Sequence, residues 1–210
     1  SVSVGAAAWY ADWYFNQDES EKKKVDPSFV YGPLFSIGYG DWSWSNLILY
    51  GKFKVHQGEN EGGNFTLARY DVDSSINYSV TSWFKLFGGC KLMRYTFPDF
   101  KHQAAGPAAG IGLTFPLPEN FYLLGTASGV YMFGHQSNRI NPNEELSGGF
   151  RAPGANATLA LAYCMEELPV TISLSGRCQY LRTLYTDNTK DKDTTHMFYG
   201  VMLSAIYTFR

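Results

Sequence analysis

Most of this chain alternates apolar and polar residues with a period of two, over segments of ten residues or more. Such alternation is typical of β-strands whose two faces meet different surroundings. In the last segment one face is wholly apolar, and it consists of Met197, Tyr199, Val201, Leu203, Ala205, Tyr207 and Phe209. No comparable stretch repeats apolar residues at helical spacing over three turns. The sequence therefore predicts an all-β fold.

Turn residues divide the chain into ten predicted strands. They are 2–15, 28–40, 43–56, 65–81, 83–97, 105–117, 120–134, 149–165, 169–185 and 195–210. Short connections alternate with longer polar ones at 16–27, 57–64, 98–104, 135–148 and 186–194. Short turns at one end and long loops at the other predict a single ten-stranded antiparallel up-and-down barrel over residues 1–210.

The composition favours a barrel that spans a membrane. Charged residues are 17% of the chain and aromatic residues another 17%, whereas soluble domains carry about 25% charged residues. The predicted strands exceed the five or six residues usual in soluble sheets and suffice for the roughly 9 to 11 of a transmembrane strand. A formal net charge of −2 gives no reason to expect a nucleic-acid partner. The alternative is a soluble lipocalin-like ligand carrier with an apolar lumen and a charged exterior.

Even strand number, two-faced strands, aromatic strand ends and asymmetric loops together resemble the Gram-negative outer-membrane β-barrel proteins as a broad class. The chain ends in Ala205-Ile206-Tyr207-Thr208-Phe209-Arg210, which is similar to their aromatic terminal strand, although Arg210 follows the aromatic. The resemblance implies an outer-membrane protein with periplasmic termini, inserted by the barrel-assembly machinery and surrounded by lipopolysaccharide. It also leaves open a protein partner in an envelope assembly. We interpret Ser1 as lying at or near a processed N-terminus.

Charged residues on the less apolar faces are predicted to line the lumen. They are Lys52, Lys54, Arg69, Asp71, Asp73, Lys85, Lys91 and Arg177. A turn near Ser82 would place Lys91 opposite Asp73, so we predict a cross-strand ion pair there. Large inward residues (Tyr50, Phe87, Met93 and Phe198) would narrow the lumen further. The charges then either cancel and fill the barrel, or form a narrow basic path for anions.

Two predicted strands contain a similar segment. Gly88–Arg94 and Gly176–Arg182 each place a Cys and an Arg on the lipid-facing side. Arg94 and Arg182 are expected near the outer headgroup level, where they either extend to the membrane edge or bind lipopolysaccharide phosphates.

One short segment resembles a catalytic element. His135-Gln136-Ser137 is similar to the His-x-Ser element of the lipid A 3-O-deacylase barrels, which would make Ser137 a nucleophile, His135 its base and Glu144 or Glu145 the orienting acid. A protease site like that of the omptins would need Asp12, Asp18 and His196 to meet where the barrel closes.

The remaining titratable residues indicate no metal site and no cofactor. His56, His102, His135 and His196 lie at strand tops or in loops and are predicted to be solvent-exposed. Cys90, Cys164 and Cys178 show no metal-ligand spacing and are expected to be packing residues. The sequence thus favours a non-enzymatic structural or surface-binding barrel, or a narrow channel, over an enzyme.

Overall fold

Ten long antiparallel strands form a closed barrel. The computed structural model describes residues 1–16, 24–56, 65–97, 100–141, 144–186 and 193–209. In these ranges each strand pairs with its neighbours, and the first also pairs with the last. The strands are β1 (Val2–Asn16), β2 (Ser28–Tyr39), β3 (Trp42–His56), β4 (Phe65–Ser79), β5 (Phe84–Phe97), β6 (Phe100–Pro116), β7 (Phe121–Asn141), β8 (Glu144–Cys164), β9 (Val170–Tyr185) and β10 (Thr194–Phe209). The predicted fold class and strand number are confirmed. None of the described residues belongs to a helix long and apolar enough to cross a membrane.

The two ends of the barrel differ, and we call them the lower and the upper end. Short turns join the strands at the lower end, where Gly40 has a φ of 57° that suits glycine. The predicted loops 98–104 and 135–148 belong to the upper end, and most of both is strand instead. Phe97 pairs with Phe100, and the β7–β8 ladder continues to Asn141 and Glu144. The sequence predicts loops there because these segments are polar. They are polar because about half of their residues lie on the outside of the wall and face water.

The outer surface carries an apolar band between two aromatic belts. Exposed rings near the lower end include Tyr39, Trp42, Trp83, Phe115, Tyr207 and Phe209. An upper belt of exposed rings includes Tyr10, Phe29, Tyr31, Tyr70, Tyr180 and Tyr199. Tyr199 and Tyr207 on β10 are about 26 Å apart along the strand at roughly 3.3 Å per residue, or about 20 Å when the strand is tilted. This approaches the height of the apolar band of outer-membrane barrels, about 25 Å.

The lower part of the lumen is lined by small hydroxyl side chains, and we call it the lower cup. Hydroxyl pairs join neighbouring strands there: Ser45 to Ser75 at 2.9 Å and Ser173 to Ser204 at 2.7 Å between oxygens. Most of this lining is only partly buried. The lower half therefore has the apolar exterior and polar interior that alternation predicts.

The upper part reverses this pattern, most clearly on β3. Leu49, Phe53 and Val55 are predicted to face lipid but point into the barrel and are buried, whereas Lys52 and Lys54 are exposed on the outside. The prediction that these two lysines line the lumen is wrong. Above the upper aromatic belt the wall no longer touches hydrocarbon, so its exterior must be polar and its interior supplies the core.

Tyr50 is also outward rather than inward. It packs against the exposed Tyr70, with 4.6 Å between ring centroids. The other large residues predicted to face inward (Phe87, Met93 and Phe198) do so, because each shares the inward phase of a strand that follows the predicted alternation.

Candidate functional site

A layer of buried ionic and polar side chains crosses the middle of the lumen. This ion layer consists of Arg69, Asp71 and Asp73 on β4, Lys91 on β5, and Arg177 and Gln179 on β9. Each faces inward as the alternation of its strand predicts. Since the hydrocarbon side cannot take these charges, the lumen is where β4, β5 and β9 can carry them.

Asp73 is the shared anion of the ion layer. Lys91 Nζ donates to its Oδ1 at 2.6 Å, and Arg177 Nη2 donates to its Oδ2 at 2.6 Å. The predicted ion pair between Lys91 and Asp73 is thus confirmed, and the ladder places the two residues directly opposite each other. Asp71 is held by Arg69, whose Nε donates to its Oδ2 at 2.9 Å, and Lys91 Nζ lies 4.0 Å from its Oδ1.

Two contacts of the ion layer cross the lumen. β4 and β9 lie on opposite walls of the ten-stranded ring, yet Arg177 reaches Asp73, and Arg69 Nη2 donates to Gln179 Oε1 at 3.0 Å. Arg69 is fully buried, and Lys91 has 1% of its surface exposed. Both contacts therefore span the lumen between these two walls.

Aromatic rings pack against the two guanidinium groups of the ion layer. The Arg69 guanidinium lies 3.5 Å from the ring centroid of Phe198, and that of Arg177 lies 5.0 Å from Trp9. Cations over aromatic faces gain about 0.5 to 2 kcal/mol, more when desolvated. The rings therefore compensate in part for burying two guanidinium groups.

Above the ion layer, the lumen is filled by a cluster that we call the aromatic plug. It consists of Trp9, Trp13, Phe53, Tyr95, Phe150 and Phe198. Trp13 on β1 stacks on Tyr95 of β5 at 5.1 Å and lies 4.9 Å from Phe198 of β10, between ring centroids. Because Trp13 and Tyr95 come from nearly opposite walls, four strands apart in the ring of ten, their contact spans the upper lumen.

Two histidines belong to the aromatic plug rather than to the solvent. His102 stacks on Phe150 at 4.3 Å between centroids, and its Nδ1 lies 3.2 Å from Gln136 Oε1. His196 packs beside Trp13 at 5.9 Å. Both are buried, so the prediction that all four histidines are exposed is wrong for these two. Their polar strand neighbours hide the fact that each occupies an inward position. His56 is partly buried and pairs with Asp26 at 2.8 Å, while His135 is exposed.

The other charged residues of the prediction lie at different levels. Lys85 faces inward in the lower cup, partly buried. Arg94 and Arg182 are exposed on the outer wall near the upper belt, and Arg182 makes an exposed ion pair with Asp193 at 3.3 Å. Cys90 and Cys178 share their outward face, as predicted.

The residues of the candidate hydrolase element are partly brought together. His135 and Ser137 lie on the outward face of β7, and the intervening Gln136 points inward. Ser137 pairs with Ser147 of β8, and the ladder continues to Glu145 and Glu144. The side chains of these two glutamates lie outside the described part of the chain. Among the described side chains, no hydrogen bond joins His135 to Ser137.

Asp12 and His196 of the candidate protease site do not converge. Asp12 lies on the outer face of β1 and accepts a hydrogen bond from the Tyr199 hydroxyl at 3.0 Å. His196 lies inside the barrel, so the wall separates the two side chains. Asp18 falls outside the described residues.

The described side chains offer no group of three or more His, Cys, Asp or Glu that could hold a metal ion. The sequence does not predict the contacts that cross the lumen in the aromatic plug and in the ion layer. The shared face of Trp9 and Trp13 is the one signal for them, since two large rings on one strand must either face lipid or fill the lumen.

No family model and no curated protein matches the chain. Among solved structures, the outer membrane protease OmpT from Escherichia coli is similar with a TM-score of 0.67 and 11% identity, over 99% of this chain and 96% of that one. The β domain of the Bordetella autotransporter BrkA has a TM-score of 0.53 and 11% identity, over 99% of both chains. The translocator domain of NalP from Neisseria meningitidis has a TM-score of 0.51 and 11% identity, over 99% of this chain and 88% of that one. This chain therefore has the fold of the Gram-negative outer-membrane β-barrels.

Proposed function

We propose that this protein is a closed, non-conducting outer-membrane barrel whose role is structural or surface-binding. The observation that carries the proposal is the filled lumen: the ion layer and the aromatic plug each join opposite walls through direct contacts. A narrow channel, with a basic path for anions, is the less supported alternative. Lys52 and Lys54, which that path needs, lie on the outside, and the inward cations of the ion layer are paired.

Conductance in planar bilayers tests this proposal. Protein that migrates as a heat-modifiable band, and is therefore folded, is added to a bilayer beside a general porin as the positive control. We expect no stable conductance steps from this chain under conditions in which the porin gives them. Steps of constant size from the folded protein would contradict a closed lumen.

We propose further that the lower end, with both termini, faces the periplasm and the upper end faces the medium. The short turns and the terminal strand support this orientation by analogy with barrels inserted by the barrel-assembly machinery. An epitope placed after Arg210 is expected to be hidden in whole cells, whereas one inserted in 57–64 is expected to be accessible. The opposite labelling would reverse the orientation and leave the closed lumen untouched.

A subunit role in an envelope assembly extends the structural reading. The support for a subunit role in the described surface is its many exposed outward rings. The role is therefore tested by a direct search for a partner. Cross-linking in whole cells followed by mass spectrometry is expected to give a defined partner if the barrel is a subunit. Recovery of the isolated barrel alone would argue for an independent surface protein.

A second candidate function is hydrolysis of an acyl ester of lipid A. One observation favours it: His135 and Ser137 share the outward face of β7 above the upper belt, where lipid headgroups lie. Ser137→Ala in cells is then expected to restore full acylation of lipid A, measured by mass spectrometry, without changing the amount of folded barrel. Identical lipid A with the wild type, the variant and no protein at all would eliminate this function.

A further inference from the structure

The outer wall of β5 to β9 contains a groove of unusually small residues. It is an open depression with a volume of about 470 Å³, lined on its outward side by Ala109, Ala127, Gly129, Ala155, Ala157 and Tyr180. On β7 it lies between Phe121, near the lower end, and the exposed Tyr131, so it sits at hydrocarbon depth. We call it the small-residue groove.

The opposite wall has a depression of about 410 Å³ as well, but large rings line it, among them Tyr39, Trp42 and Trp44. β1, β2, β4 and β10 project exposed rings, including Tyr10, Phe29, Tyr31, Tyr70 and Tyr199. Along this wall, large rings occupy the kind of space that the Ala and Gly residues of the small-residue groove leave open. A row of Ala and Gly instead leaves a recess into which an acyl chain can settle with close contact on several sides.

Two arginines lie above the small-residue groove. Arg182 follows Tyr180 by two residues on the same outward face of β9, and Arg151 stands on the outward face of β8. Arg151 pairs with Leu184 and Leu181 pairs with Gly154, which makes the two arginines diagonal neighbours, about 7 to 8 Å apart at the backbone. Arg182 also contacts Asp193, but that pair is exposed and therefore weak.

A second depression continues the polar surface toward β5. It has a volume of about 490 Å³ and is lined by Arg94, Gln103 and His135 beside the apolar Leu92, Ala105 and Phe133. Arg94, Gln103 and His135 lie side by side across three strands. Its polar residues lie above its apolar ones, just as the two arginines lie above the small-residue groove.

We propose that the β5–β9 wall binds a phosphorylated glycolipid of the outer leaflet, of the lipid A class. An acyl chain occupies the small-residue groove, and Arg151 and Arg182 bind a phosphate above it. Arg94 is placed to bind a second group of the same headgroup. Arginine forms bidentate, charge-assisted hydrogen bonds to phosphate. A second copy of this chain is disfavoured as the occupant, because packing its β5–β9 wall against this one would place like-charged arginines side by side. This inference rests on the outer-membrane location proposed above.

The test is native mass spectrometry of the folded, detergent-solubilised full chain titrated with bisphosphorylated lipid A. The double variant Arg151→Gln/Arg182→Gln is expected to bind about tenfold or more weakly, since charge-assisted bonds to phosphate are lost. The matched control is Lys52→Gln/Lys54→Gln, which removes two outward cations from the opposite wall. It is expected to bind as the wild type does.

A second pair of variants tests the groove itself. Gly129→Phe fills it, while Gly125→Phe puts the same ring on the outward face of the same strand outside the groove. A Cβ at either position meets no atom within 4 Å, so both are expected to fold. Only Gly129→Phe is expected to weaken lipid A binding.

Equal binding by all four variants would overturn the inference, as would equal binding of dephosphorylated lipid A or of phosphatidylglycerol. A dimer of the chain without lipid would also overturn it. The epitope measurement described above separates these results from a failure of the location: a barrel correctly oriented in the outer membrane that binds no lipid A contradicts this inference alone.

Discussion

The lower and upper halves of this barrel follow opposite rules of polarity. In the lower half the exterior is apolar and the lumen is lined by hydroxyl groups such as Ser45 and Ser75. In the upper half the lumen is filled by rings such as Phe53, and the exterior carries Lys52 and Lys54. The difference shows that the medium outside the wall determines the polarity of the lumen. Where the wall is embedded in lipid, the lumen can be polar. Where the wall extends beyond the lipid, its exterior is polar and the lumen contains the apolar core.

The ion layer lies where the two halves meet. Its charges are paired across the lumen and packed against rings of the aromatic plug. A buried ion network of this kind is weak support for stability compared with an apolar core, but it is costly to break. It is also specific, because Lys91 and Arg177 bind different oxygens of the shared Asp73, and Arg69 binds Asp71.

The largest expected effect comes from breaking the ion layer. Asp71→Ala leaves the Arg69 guanidinium fully buried without its carboxylate, which is expected to lower the free energy of unfolding by about 3 to 5 kcal/mol. Urea unfolding in detergent micelles measures it. Asp193→Ala, which removes the exposed partner of Arg182, is the control and is expected to cost about 1 kcal/mol or less. Similar small losses in both variants would mean that Arg69 is not desolvated as described.

The next effect compares the two halves on one strand. Phe53→Ala removes a fully buried ring from the aromatic plug and is expected to cost about 3 to 5 kcal/mol. Ser45→Ala in the lower cup is expected to cost about 1 kcal/mol or less, since water can replace its hydrogen bonds. The same urea titration in micelles measures both. Equal costs would remove the distinction between a wet and a packed lumen.

A smaller effect tests the exterior. Leu203→Lys puts a charge in the apolar band of β10 and is expected to lower the free energy of unfolding in lipid vesicles by about 2 to 4 kcal/mol. Lys54→Leu above the upper belt is expected to change it by about 0.5 kcal/mol or less. If Lys54→Leu proved strongly stabilising in vesicles, position 54 would have to lie in the hydrocarbon instead.

The sequence predicts much of this fold because, in an up-and-down barrel, strands that are consecutive in the sequence are hydrogen-bonded neighbours. Strand number, antiparallel closure and the Lys91–Asp73 pair all come from alternation and turn positions, and all are confirmed. β3 is wrongly phased because one rule, apolar residues outward, is applied along its whole length. The nearness of Lys52 and Lys54 to the upper end is the signal that the rule has ceased to hold.

The candidate site is predicted less well, for a physical reason. Which side chains face inward can be derived from the period of a strand, but which of them meet across the lumen depends on tilt and on side-chain length. Arg177 and Asp73 are 104 residues apart in sequence and on opposite walls. Neither their contact nor that of Trp13 with Tyr95 has a local sequence pattern.

A nitroxide scan along the outward positions of β3 tests the reversal of polarity most directly. Labels replace Ile48, Tyr50, Lys52 and Lys54 in turn in the barrel reconstituted into vesicles, and relaxation by oxygen is compared with relaxation by a water-soluble nickel chelate. We predict that oxygen dominates at position 48, that nickel dominates at 52 and 54, and that the two cross near Tyr50. Oxygen dominance at 52 and 54, or labels there that neither reagent reaches, would contradict the account.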